Sequence, residues 1–363
     1  MNLSDIIVQR IKADGPISFQ EYMEMCLYYP DHGYYSSKSN KIGANGDFYT
    51  SSSLTPVFGI LIGKQLEEMW EILGKQPFTI VEYGAGTGML CHDILSYLEN
   101  NKQMYEQLKY CIIEKSHVMR EIEMSHLSGK VSWHNSINEI PEINGCILSN
   151  ELLDNFAVHQ VVMCDKLMEV FIDHDQNFKE VLLPASGELT DYLNELEVTL
   201  PPGFRTEINL QAIKWIKEIS SSLKSGYVMT IDYGFLSAEL YKTCRSEGTL
   251  MCYKNHQINQ CIYENIGGQD ITSHVNFSAL VHWGKKFGLE ECGLIDQCHF
   301  LLAMGFKEYI QQAFLHENNL MQAARKIAVL SHTLLIDMGS KYKFLIQQKG
   351  VNGKRLSGLN HLV

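Results

Sequence analysis

The sequence predicts an α/β protein whose parallel sheet is flanked by helices. Three observations predict it. A strand–turn–helix unit runs from Phe78 to Leu98, with Glu82-Tyr83-Gly84-Ala85-Gly86-Thr87-Gly88 between the apolar run and the helix. Further short apolar runs recur at Tyr110–Ile113, Val131–Trp133, Cys146–Leu148 and Tyr227–Ile231. Helical patterns alternate with such strands, and that alternation builds a parallel sheet with right-handed crossovers.

The elements follow in order. Leu3, Ile6, Ile7 and Ile11 have helical spacing. Pro16 ends that helix, and Ser18 can cap a second one carrying Tyr22, Met23, Met25 and Cys26. Residues 29–53 read as a long loop rich in Tyr, Gly, Ser and Asn, and a loop of that length in a compact domain is usually functional. A long helix runs from about Pro56 to Leu73. After the first strand, Leu90, Ile94, Leu95 and Leu98 form one helical face. Val158–Met163, Leu167–Asp173 and Phe178–Leu183 are β-rich runs joined by short polar turns, an antiparallel insertion. Leu210–Leu223 is amphipathic, a helix is expected near residues 318–336, and Tyr342–Gln347 is a final strand. Four segments result: 1–75, an N-terminal helical and lid segment; 76–157, the first half of the core; 158–209, the β-rich insertion; and 210–363, the second half with the C-terminal region.

Composition limits the partners. The chain has 363 residues, 45% apolar and 20% charged, an ordinary globular balance that excludes a disordered chain, a collagen or a coiled coil. Its net charge is −12, which opposes nonspecific binding to a phosphate backbone and favours a cationic partner. The longest uncharged stretch, Phe48–Gly63, is broken by Ser, Thr and Pro and does not suit a membrane. The N-terminus has neither a basic-then-apolar leader nor an Arg-rich, acid-poor one, so the expectation is a cytoplasmic protein. Ten cysteines are scattered with no C-x-x-C, and the closest pair is Cys292 and Cys298. That spacing suggests no metal site and no disulfide framework.

The glycine turn is the most informative motif. Glycines after a strand let the backbone turn sharply and approach a ligand, and the following helix offers free N–H groups. A dinucleotide turn would carry a third glycine at position 89. That position is Met89, so the spacing is G-x-G-x-G, with Glu82 two residues ahead. This pattern resembles the S-adenosylmethionine (SAM) turn of class I methyltransferases, in which an acid stands near the cofactor's ammonium. Glu114, at the end of the second strand, can accept hydrogen bonds from ribose hydroxyls, a role shared with dinucleotide folds.

Several separated motifs together resemble the MidA-like SAM-dependent methyltransferases, a family that includes the mitochondrial complex I assembly-factor protein arginine methyltransferases. They are Gly15-Pro16-Ile17-Ser18-Phe19 with Tyr22-Met23, Tyr29-Pro30 with Gly33-Tyr34-Tyr35, and Gly46-Asp47-Phe48-Tyr49-Thr50-Ser51 with Phe58-Gly59. The cofactor turn follows, then Asn150-Glu151-Leu152-Leu153-Asp154 with Val158, and Asp232-Tyr233-Gly234. Gly248-Thr249-Leu250 with His256 and Gly268-Gln269-Asp270-Ile271-Thr272 with His274-Val275-Asn276-Phe277 complete the set. Two departures touch the loops. Ser52 stands where the family has proline, and Asn155-Phe156-Ala157-Val158 replaces Ala-Leu-Pro-Val.

The resemblance implies a class I (Rossmann-like) methyltransferase fold and SAM as cofactor. It implies that Glu82, Gly84, Gly86 and Gly88 line the methionine end, that Glu114 takes the ribose, and that Gly46, Asp47 and Thr50 fold over the cofactor. Asn150, Glu151 and Asp154 lie where the fourth strand ends, the edge at which such sheets bind ligands. If a helix begins there, Glu151 and Asp154 share a face, can grip a guanidinium and can accept its proton, so these two, with Asn150, are the candidate catalytic residues. Asp232, Asp270 and His274 are candidate substrate contacts. The expected activity is methylation of a protein arginine on a subunit of a respiratory NADH dehydrogenase. A small-molecule or RNA methyltransferase and a non-catalytic assembly module are the alternatives.

Overall fold

A computed structural model of the chain describes residues 2–37, 51–127, 129–254, 257–315, 317, 319–351 and 355–360. The chain divides into two units. The first comprises Met1–Phe48, Leu153–Ile216 and Gly234–Trp283; the second comprises Tyr49–Leu152, Lys217–Tyr233 and Gly284–Val363.

The apolar runs of the sequence become one central sheet in the second unit. Its strands are β1 (Phe78–Tyr83), β2 (Leu108–Ile113), β3 (Val131–His134), β4 (Ile143–Asn150), β5 (Leu223–Phe235), β6 (Glu290–Asp296) and β7 (Tyr342–Lys349). Their spatial order is β3-β2-β1-β4-β5-β7-β6. Pairings from β3 through β5 are parallel; β7 is antiparallel to both β5 and β6. The central strands are apolar along nearly their whole length because helices cover both faces, so they read as continuous runs rather than as alternation. Ile80, Val81, Cys146, Ile147, Leu148, Val228, Met229 and Ile231 are all buried. Strand β6 had no signal in the sequence: Glu290, Glu291 and Gly293 interrupt its apolar pattern, and it forms by pairing with β7.

The helices have ordinary local causes. Pro56–Ile72 starts with proline in its first turn and is capped by Thr55, whose side chain accepts the Val57 N–H. Met89–Leu98 buries Leu90, Ile94, Leu95 and Leu98, the face expected from the spacing. Phe58, Phe300 and Phe344 join the core, with Phe300 stacked on Phe344 at 3.9 Å between centroids.

The first unit has its own core of Ile7, Ile11, Phe19, Tyr22, Val170 and Ile172. Leu3–Asp14 is capped by Asn2, which forms a capping box with Asp5, and Phe19–Tyr28 is capped by Ser18. The β-rich insertion is antiparallel: Leu167–Asp175 pairs with His159–Met163, with Asn177–Pro184 and with Ile17–Ser18. Arg205–Ile208 extends the sheet beyond His159–Met163. A small sheet of Gln257–Asn259, Met251–Lys254 and Asp270–Thr272 is also antiparallel and was not anticipated. All ten cysteines are free thiols. No helix among the described residues is long and apolar enough to cross a membrane.

Candidate active site

In the second unit, β1 ends in a corner that only glycine adopts easily. Gly84, Gly86 and Gly88 have φ of 63°, 59° and 78°, a left-handed conformation that costs other residues about 1–2 kcal/mol each. The Gly84 N–H donates to the Ile113 carbonyl at 3.0 Å, tying the corner to the end of β2. Gly88 is the N-cap of Met89–Leu98, and no side chain caps that first turn. Its N–H groups and positive dipole end therefore face whatever occupies the corner.

Glu114 follows β2. It is half-buried, and its Oε1 accepts the Ser116 N–H at 2.6 Å. Burial pushes its pKa up, while the Ser116 N–H and the Arg120 guanidinium oppose that rise. Glu82 points into the sheet's core rather than out of it. Its Oε2 accepts from the Tyr110 hydroxyl at 2.7 Å, and burial raises its pKa to about 7.

A carboxylate stands at the carboxyl end of β4. Asn150 is the last strand residue, and the Glu151 N–H still donates to the Ile231 carbonyl of β5 at 2.9 Å. The chain then turns with Glu151 at φ 52°. The Glu151 carboxylate accepts from the Tyr342 hydroxyl to Oε2 at 3.0 Å, from the Ser51 N–H to Oε1 at 3.3 Å and from Asn150 Nδ2 to Oε1 at 3.4 Å. Tyr342 lies edge-on to Tyr233 at 5.4 Å. Asp232, on β5, is wholly buried and accepts the Tyr233 N–H.

The helix that would put Glu151 and Asp154 on one face does not form. Left-handed backbone at Glu151 stops it, and only the short turn Leu153–Asn155 follows. The two carboxylates therefore share no helix face. In the first unit, the Asp154 carbonyl accepts the Ser273 N–H at 2.9 Å. Tyr35 donates to both carboxylate oxygens of Asp270 at 3.1 Å and stacks on Tyr28 at 5.6 Å. Burial, then the charge of Asp270, pushes the Tyr35 pKa far up, so it stays a donor. His274 lies against Phe235 at 5.2 Å, and burial lowers its pKa to about 4, leaving it neutral near pH 7. Gly46, Asp47, Thr50 and His256 lie outside the described residues.

Sequence reading missed Ser51, Tyr342 and Tyr110. Tyr342 and Tyr110 occupy ordinary strand positions, so nothing local marks them; Ser51 closes the motif that begins at Gly46, which was the one signal available for it. Tyr35 belongs to the aromatic run whose density had already marked that loop as functional.

The strand order, its one antiparallel member, the glycine corner after β1 and the acid after β2 define a class I methyltransferase. The chain belongs to the family of S-adenosyl-L-methionine-dependent methyltransferases whose model matches residues 61–295, the MidA-like group suggested by its motifs. It is similar to the protein arginine methyltransferase NDUFAF7 homolog, mitochondrial, of Drosophila melanogaster, at 27% identity over 94% of this chain and 84% of that one. The Mus musculus NDUFAF7 is 28% identical over 82% of this chain and 73% of its own length. A crystal structure of a Burkholderia thailandensis protein bound to S-adenosylhomocysteine superposes with a TM-score of 0.89 at 27% identity, covering 99% of this chain and 95% of that one.

SAM is thus the cofactor, and the residues present fit it. Three left-handed glycines keep side chains off the corner, an uncapped helix start faces it, and a half-buried carboxylate ends the neighbouring strand. The cytoplasmic expectation is overturned, because the relatives are described as mitochondrial. Among the described residues no cluster of His, Cys, Asp and Glu is arranged to hold a metal ion.

The corner carries a direct prediction. A Cβ on Gly88 would meet Leu127 Cδ1 at 2.9 Å, at a φ of 78°. Gly88→Val should leave a folded chain whose SAM affinity, by calorimetry, falls by about tenfold or more, since a β-branched residue resists this backbone by more than 1 kcal/mol. Unchanged affinity would remove Gly88 from the cofactor site.

Proposed function

We propose that the protein transfers the SAM methyl group to a guanidinium nitrogen of an arginine in a protein substrate, as the names of its relatives describe for them. The resemblance carried by the sequence motifs points to a subunit of a respiratory NADH dehydrogenase as that substrate. The observation that carries the arginine reading is the Glu151 carboxylate, held by Tyr342, Ser51 and Asn150 at the carboxyl end of β4.

When bound, SAM supplies an electrophilic methyl group on a sulfonium. Gly84, Gly86 and Gly88, with Glu82 beneath them, are assigned to its methionine end, Glu114 to its ribose, and Gly46, Asp47 and Thr50 to a covering loop. Arginine is fully protonated near neutral pH, and its nitrogens share their lone pairs with the π system. A fixed carboxylate localises the positive charge on the nitrogens it touches and so frees electron density on the remaining one. With the cofactor bound, the new N–C bond would form as the methyl–sulfur bond breaks and S-adenosylhomocysteine leaves, and the proton lost by that nitrogen would pass to Glu151. Asn150 and Tyr342 hold the carboxylate in place. The buried Asp232 is assigned to bracing Tyr233. The net charge of −12 favours a basic substrate.

Incubation of the purified protein with radiolabelled SAM and a lysate lacking it tests the reading. The expected result is label in a protein band, with methylarginine found by mass spectrometry. Label in RNA or in small molecules would replace the protein-arginine assignment with one of the alternatives.

A further inference from the structure

A group of buried carboxyls lies beneath the glycine corner of the second unit. Glu123, on the helix His117–His126, is 0% exposed. Its Oε2 accepts from Trp133 Nε1 of β3 at 2.8 Å; its Oε1 is buried and has no hydrogen-bond partner among the described residues. It lies against the corner, for a Cβ on Gly88 would come 3.7 Å from the Glu123 Cα. The titratable groups facing it are Glu82 from β1, Glu114 after β2, Cys91 from Met89–Leu98 and Arg120 from its own helix. Behind Glu82 stands the Tyr110 hydroxyl of β2. Arg120 spends its Nη2 on the carbonyls of Glu114 and His134 and on Asn135 Oδ1.

Three carboxyls cannot all ionise in so poorly hydrated a place. The proton settles where solvation by donors is least. Glu114 has the Ser116 N–H and some exposure, and Glu82 has the Tyr110 hydroxyl. Glu123 has one indole N–H and no water contact.

We propose that Glu123 is a positioning residue of the cofactor site, holding a proton so that Glu114 keeps its charge for the ribose hydroxyls. This rests on the ribose role assigned to Glu114. Burial first, and the Glu114 charge second, raise the Glu123 pKa to about 9. The sign follows. Below pH 9 Glu123 is neutral and Glu114 is free to be the anion. Above it, a second charge forms beside Glu114, and cofactor affinity is lost as pH rises through that value.

The test is calorimetric titration of the full chain with S-adenosylhomocysteine from pH 7 to 10, each protein normalised to its own value at pH 7. Groups on the ligand titrate identically in every comparison and cancel. The wild type should show a step of weakening near pH 9, approaching about tenfold per unit. Glu123→Gln has no proton to lose there and should lack the step. Trp133→Phe removes a donor that favours the ionised form, and should move the step to higher pH. Parallel profiles for wild type and Glu123→Gln would overturn the proposal. If Glu123→Gln does not fold, an unmoved step in Trp133→Phe overturns it. Glu114→Gln tests the underlying assignment separately: it should weaken binding at every pH, and full affinity there would reject the ribose role itself.

Discussion

Glu151→Gln should lower the methylation rate by at least about a hundredfold, the usual scale for removing a proton acceptor, while SAM affinity stays within a few-fold of the wild type. The substitution keeps shape and removes charge. Tyr342 can still donate to the amide oxygen, so the local fold survives. What disappears is the anion that localises charge on the guanidinium and takes its proton. Single-turnover rates with saturating SAM would read the loss, and calorimetry would read the affinity. If SAM binding disappears with the activity, Glu151 is a cofactor ligand rather than a base. If neither changes, another group accepts the proton.

Gly226→Ala should be the most damaging small substitution in the sheet. Gly226 of β5 pairs with Gly145 of β4, which pairs with Thr79 of β1. A Cβ on Gly226 would lie 2.0 Å from the Gly145 carbonyl oxygen, and one on Gly145 would lie 2.1 Å from the Thr79 carbonyl oxygen. Both contacts are to backbone, so no side chain can swing away. Relief requires parting the strands that carry Asn150, Glu151 and Asp232. The expected cost exceeds about 4 kcal/mol, the range reserved for mutations that break a core feature. Gly74→Ala is the control: φ is 81° but no atom lies within 4 Å of the added carbon, so only the left-handed penalty of about 1 kcal/mol applies. Urea unfolding followed by circular dichroism compares them. Equal losses would show that the inter-strand contact is not what demands glycine.

The fold was legible where burial is uniform. Residues such as Ile80, Ile112, Leu148 and Val228 lie in strands covered on both faces, so their sequence is apolar along most of its length. The helix Met89–Leu98 was legible because it buries a single stripe. Strand β6 was not, since its residues are only partly buried and β7 decides its pairing. A helix through Glu151 and Asp154 is absent for a similar reason. The spacing permits a helix, but the Glu151 N–H finds the Ile231 carbonyl of β5 first, and the sheet wins over the local preference.

From the linear chain alone came the class of molecule: the alternation of strands and helices, the G-x-G-x-G corner at Gly84, Gly86 and Gly88, and the acids Glu114 and Glu151 at strand ends. Those features are local, set by the order of neighbouring residues and by backbone conformations that glycine adopts most easily. Tertiary structure alone decided what each acid can do. Tyr342 reaches Glu151 from 191 residues away, and Trp133 of β3, Glu82 of β1 and Glu114 just after β2 surround Glu123. A carboxyl's charge depends on the donors and charges packed around it, and those are brought together by folding rather than by position along the chain.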